Sequence, residues 1–147
     1  MKNILSALLG AGLVAVAACS KSGPGPAAAV ISVSVGNPSG TGTGMGDLVT
    51  TSFTSFAFAQ HADEALGLAK QWGLPVKDAD QKIRAALSVR PGEKPDQFII
   101  EAPGLEHDVA VKVVNELCTY YSSLHPSITL ADGKSAVLHA SVVTPAK

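Results

Sequence analysis

Apolar residues change their spacing repeatedly along the chain, and each change marks an element. The run from Ile4 to Ala18 is continuous for 15 residues. From Val30 to Val35 the pattern alternates, with Ile31, Val33 and Val35 facing one way and serines between them. That period of two predicts a strand with one buried face. Gly36 to Asp47 is a glycine-rich loop, and helical spacing begins beyond it. Leu48 to Phe58 mixes Phe53, Phe56 and Phe58 with Ser and Thr, a helical stretch whose form the pattern leaves open. Over His61 to Trp72 the stripe Ala62, Leu66, Ala69 and Trp72 predicts an amphipathic helix. Gly73 ends it and Pro75 forbids continuation.

A second helix is expected from Ala79 to Leu87, with Asp78 or Asp80 as its cap and Ile83, Ala86 and Leu87 inside. Ser88 to Arg90 is extended, Pro91 to Asp96 a turn, and Gln97 to Ala102 a strand stopped by Pro103-Gly104. The third helix, Asp108 to Tyr121, carries the clearest period. Val109, Ala110, Val113, Leu117, Tyr120 and Tyr121 fall on one face, and Asp108, Lys112, Asn115 and Glu116 on the other. Asp132-Gly133 then predicts a hairpin in which Leu138, Ala140 and Val142 alternate with Val137, His139 and Ser141. The fold class expected is α/β of the α+β kind. It is a small mixed sheet covered on one side by about three helices, closing on a C-terminal hairpin.

The leader sets the location. A basic start, the apolar run and the small residues closing it form a secretion signal. The run is shorter than the ~20 residues that span a bilayer. Its last four residues, Val16-Ala17-Ala18-Cys19, resemble the lipobox of bacterial lipoprotein precursors. That resemblance implies that Cys19 is acylated after cleavage at its N-terminal side. The alternative is a cysteine lying in an uncleaved apolar helix. Acyl chains contribute ~0.8 kcal/mol per buried methylene, so several hold a domain firmly at a bilayer. The division expected is a signal peptide over 1–18, a lipidated flexible tether over 19–29 and a domain over 30–147. Ser20, rather than Asp, after the cysteine fits sorting to the periplasmic face of the outer membrane in a two-membrane bacterium.

Charge narrows the partners. Without Lys2 the chain has ten Lys and Arg against twelve Asp and Glu, scattered rather than striped. Nucleic acid is therefore not expected as a partner. Once Cys19 is acylated, Cys118 has no disulfide partner and reads as a small apolar filler.

Chemistry finds little footing. Gly42, Gly44 and Gly46 are evenly spaced and lack the order of a phosphate loop. No histidine pair among His61, His107, His125 and His139 has H-x-x-x-H spacing, and no C-x-x-C exists, so no metal or cofactor is expected. No serine stands in a nucleophile elbow. An enzyme would need a cleft holding two or more of His61, His107, His139, Glu101 and Glu106.

The segment from Ala86 to Tyr121 resembles the periplasmic domain of polysaccharide chain-length determinants, the Wzz-type polysaccharide co-polymerases. Ala110-Val111-Lys112-Val113-Val114-Asn115 follows that family's helix motif by spacing, with Leu117 and Tyr121 in its aliphatic and aromatic positions. Trp72-Gly73-Leu74, Leu87-Ser88-Val89 and the closing Val137 to Lys147 add to the likeness. Glu106-His107 replaces the family's Asp-Pro, and flanking membrane helices are not part of this pattern. The resemblance implies a non-enzymatic scaffold for polysaccharide chain-length control, assembly or export, with homo-oligomers or export proteins as partners. A general envelope adaptor is the alternative, and an envelope enzyme a third. Asn115 has two readings, a local bond to a neighbouring loop or a subunit contact, and Tyr121 shares the structural or interface role.

Overall fold

The computed structural model describes residues 27–35, 44–130 and 132–147. The signal peptide, Cys19 and most of the expected tether and glycine loop lie outside those residues. The elements are β1 (Ala28–Val35), α1 (Met45–Phe53), α2 (Phe56–Leu66), α3 (Leu68–Trp72), α4 (Val76–Ala86), β2 (Ser88–Pro91), β3 (Gln97–Glu101), α5 (His107–Leu124), β4 (Ser127–Thr129) and β5 (Ser135–Thr144).

Five strands form one curled sheet in the order β2-β3-β1-β5-β4, and every neighbouring pair is antiparallel. β1 and β2 therefore run the same way with β3 between them, joined through α1 to α4. β3 and β5 run the same way around β1, joined through α5. Two interleaved split β-α-β units of this kind make the ferredoxin-like arrangement, here extended at one edge by β4. The expected class is the one adopted: an α+β fold, with helices packed on the sheet and a hairpin at the C-terminus. Its ladders are antiparallel throughout rather than mixed.

Register explains which face is dry. Ala29, Ile31 and Val33 are buried on β1, and they stand opposite Ile100, Phe98 and Ala140. The other parity puts Val30, Ser32 and Ser34 beside Ile99, Gln97 and His139 on the outer face. A bulge between Val30 and Ile31 gives β5 one extra residue, Val143, near its end. Under the helices, the rings of Phe53, Phe58 and Tyr121 pack at tilted angles with centroids 5.1–6.0 Å apart. Such aromatic pairs contribute ~0.5–1.5 kcal/mol each beyond the area they bury.

Several boundaries differ from the expectation. β1 begins at Ala28 rather than Val30, and Ala27 and Ala29 are buried in the core. The stretch from Leu48 to Phe58 divides at Thr54, where the Ser55 hydroxyl accepts from the Phe58 N–H and starts α2 afresh. The helix expected over His61 to Trp72 is broken at Gly67, whose φ of 65° suits glycine. The Gly67 N–H donates to the Asp63 backbone carbonyl and the Asp63 carboxylate accepts from the Ala69 N–H, so one residue closes α2 with its backbone and holds the start of α3 with its side chain. Leu68 is consequently buried instead of Ala69.

α4 starts directly after Pro75, a turn earlier than expected. Neither Asp78 nor Asp80 caps it. Asp78 lies in its first turn and Asp80 is buried in its interior. In α5 the buried set is Val109, Ala110, Val113, Val114, Leu117, Cys118 and Tyr121, while Tyr120 is half-buried. The hairpin turn forms as predicted around Asp132-Gly133, where the Leu130 N–H donates to the Lys134 carbonyl and the Gly133 N–H to the Leu130 carbonyl.

Candidate functional site

α4 turns a polar face away from the core. Lys77, Gln81 and Arg84 recur there at helical spacing and, with Ala85, line one wall of an open depression of about 520 Å3. Thr54 and Phe56, from the break between α1 and α2, form the other wall. The Arg84 Nε donates to the Thr54 carbonyl at 2.9 Å, which orients the guanidinium, and its Nη groups make no hydrogen bond among the described residues. Neither Lys77 nor Arg84 forms an ion pair among the described residues. The start of α2 at Phe56 adds the positive end of a helix dipole. Phe56 keeps 48% of its surface exposed. Two cations, an amide, a hydroxyl and an open aromatic ring thus face one hollow. Its chemistry suits an anion carried on a body with an apolar face.

A second depression, about 350 Å3, lies between α3, α4 and the start of α5 and is lined by Trp72, Lys82, Leu105, Glu106 and Val109, among others. The Lys82 ammonium lies 4.1 Å above the Trp72 ring and occupies its face. Trp72 is therefore already stacked by this chain's own cation.

The residues singled out from the pattern have separate addresses. Asn115 grips the end of the chain, its Nδ2 donating to the Ala146 carbonyl at 3.1 Å and its Oδ1 accepting from the Ala146 N–H at 2.8 Å. Tyr121 is buried, and its hydroxyl has no hydrogen-bond partner within reach of good geometry. Burial pushes that phenol up, and the nearby Ser52 opposes the shift. The Ser52 hydroxyl itself donates to the Leu48 carbonyl. Cys118 is fully buried, which pushes its thiol up to about 12.

Of the five groups named for an enzyme cleft, His61 meets Glu116 at 2.9 Å and stacks on Tyr120 with centroids 3.7 Å apart. Glu101 is held by Arg90 at 2.7 Å, and Glu106 borders the Trp72 depression. His139 lies beside His125, and His107 begins α5. The structure gives no pair of the five a hydrogen bond or an ion pair among the described residues.

One buried group was not legible as such. Asp80 is fully buried and neither carboxylate oxygen has a hydrogen-bond partner among the described residues. Burial first, then the charges of Asp63 and Glu64, raise its pKa above the ordinary carboxylate value. Among the described residues no group of three or more His, Cys, Asp or Glu is placed to hold a metal ion. No described helix is long and apolar enough to cross a membrane.

No family model, curated protein or solved structure matches this chain. The Lys77–Arg84 depression escaped the sequence pattern because its two walls, Thr54 and Phe56 on one side and Lys77 to Ala85 on the other, come from separate helices. The one usable signal was the spacing of Lys77, Gln81 and Arg84 on a helix whose inner face was already assigned.

Proposed function

We propose that this chain is a non-enzymatic lipoprotein, anchored through acylated Cys19, whose domain is an accessory scaffold in polysaccharide chain-length control, assembly or export. In a two-membrane bacterium it sits at the periplasmic face of the outer membrane. The observation that carries the reading is the depression bounded by Lys77, Gln81, Arg84, Thr54 and Phe56. An acidic saccharide has the complementary parts: a carboxylate for the cations, hydroxyls for Gln81 and Thr54, and a ring face for Phe56. Two stretches that resemble the co-polymerase family also touch one another here. Asn115, from the helix motif, holds Ala146, from the closing segment. The lipobox-like leader supports the anchor.

The test is a Lys77→Glu, Arg84→Glu double variant compared with the parent protein. Binding of the purified proteins to an acidic polysaccharide and the length distribution of surface polymer in cells are both read. Loss of retention together with an altered length distribution is expected. Unchanged retention and unchanged polymer would overturn the proposal. Cys19→Ala should move the protein from the detergent phase to the aqueous phase on phase partition.

The adaptor reading draws on a different surface. The outer face of the sheet exposes Val137 and half-exposes Val30 and Ile99, a surface suited to protein contact. It predicts a copurifying protein or a homo-oligomer, with surface polysaccharide unaffected by the double variant.

A further inference from the structure

We propose that His125 and His139 form a two-imidazole chelate for a divalent late first-row transition metal such as Zn2+. The β4–β5 ladder carries the argument. Its register pairs Ser127 with Val137, Ile128 with Ala136 and Thr129 with Ser135. The same pairing continues past the end of β4, because the Leu138 N–H donates to the Pro126 carbonyl at 2.9 Å. His125 immediately precedes Pro126, and its ring lies beside that of His139.

His139 stands on the outer parity of β5, opposite Ser34 of β1, and His125 is the left-handed residue that leads from α5 towards β4. Both are exposed. Their ring centroids lie 5.3 Å apart and the rings are tilted by 56° rather than stacked. With Zn–N bonds of ~2.1 Å and tetrahedral angles, the centres of two imidazoles on one ion lie about 5 Å apart. The rings are thus already at the separation a shared ion requires.

Both backbones are fixed. His139 is inside β5, and His125 is the C-cap of α5, locked at φ 42° with Pro126 immediately after it. Preorganised imidazoles lose little freedom on binding. Neutral imidazole suits Zn2+, Cu2+ and Ni2+, and the coordination positions the two rings leave are filled by water. H-x-x-x-H spacing could not reveal this pair, since its residues come from two different elements.

The experiment is isothermal titration of the full chain with ZnCl2 alone at neutral pH, with His125→Asn, His139→Thr and His61→Ala as variants. Asparagine tolerates the left-handed backbone at 125 and threonine suits a strand, so the folds survive. One saturable site per chain is expected. Each of the first two variants should weaken it by more than the ~10–100-fold that outer-shell changes cost. His61→Ala should leave it unchanged. Circular dichroism of every variant verifies folding. Absence of saturable Zn2+ binding by the folded parent would overturn the proposal, as would retained affinity in either His125→Asn or His139→Thr.

Discussion

Asn115→Ala is the sharpest test of how the end of the chain is held. Two hydrogen bonds join Asn115 to Ala146, and Ala146 is only 5% exposed. A typical hydrogen bond contributes ~0.5–1.5 kcal/mol net, so losing both costs about 1–3 kcal/mol. In equilibrium urea unfolding followed by far-UV circular dichroism, the midpoint should fall by roughly 1 M, given slopes of ~1–3 kcal/mol per molar for small domains. The decisive measurement is a double-mutant cycle with deletion of Pro145 to Lys147. If Asn115 acts through Ala146, its substitution in the shortened chain should cost only a few tenths of a kcal/mol. Independent sites add within ~0.3–0.5 kcal/mol. An equal cost in both backgrounds would refute the reasoning and assign Asn115 another partner.

Asp80→Asn should stabilise the protein near neutral pH, because the amide keeps the shape of the carboxyl but has no charge to bury beside Asp63 and Glu64. An acid whose folded pKa lies above its unfolded value holds its proton more tightly when folded. The parent therefore loses stability as pH rises from the unfolded value of 3.8, and the loss is complete once pH passes the raised folded value. The advantage of Asp80→Asn should grow over that window and be absent below it; a pH-independent difference in urea midpoint would contradict this. Tyr121→Phe removes a hydroxyl that has no partner and should change stability by less than about 0.5 kcal/mol. A larger loss would reveal a bond to Ser52. Cys118, with its thiol at about 12, should resist iodoacetamide in the folded protein and react only on unfolding, as read by mass spectrometry of its peptide.

Much of the architecture was legible because one-dimensional periodicity maps directly onto burial when one face of an element is dry. The alternation at Ile31 and Val33 and the helical face from Val109 to Tyr121 are of this kind. Local turn chemistry was equally readable, and Asp132-Gly133 closes the hairpin the pattern placed there. Periodicity fails where a helix stops without losing its spacing. Leu66 and Ala69 kept the expected interval across Gly67, yet the chain turns there because Asp63 captures the Ala69 N–H.

Composition and pattern by themselves determined the α+β class, the positions of most elements and the absence of recognisable catalytic motifs. Tertiary structure decided that Asp80 lies inside rather than at a helix end, since α4 begins a turn earlier, at Val76, and carries Asp80 onto the buried face beside Ile83. It also brought Thr54 and Phe56 to Lys77 and Arg84, and set His125 beside His139. The physical reason is the same in each case. Helix and strand periods are encoded over a few residues, whereas a hollow or a ring pair exists only after distant segments have found their register.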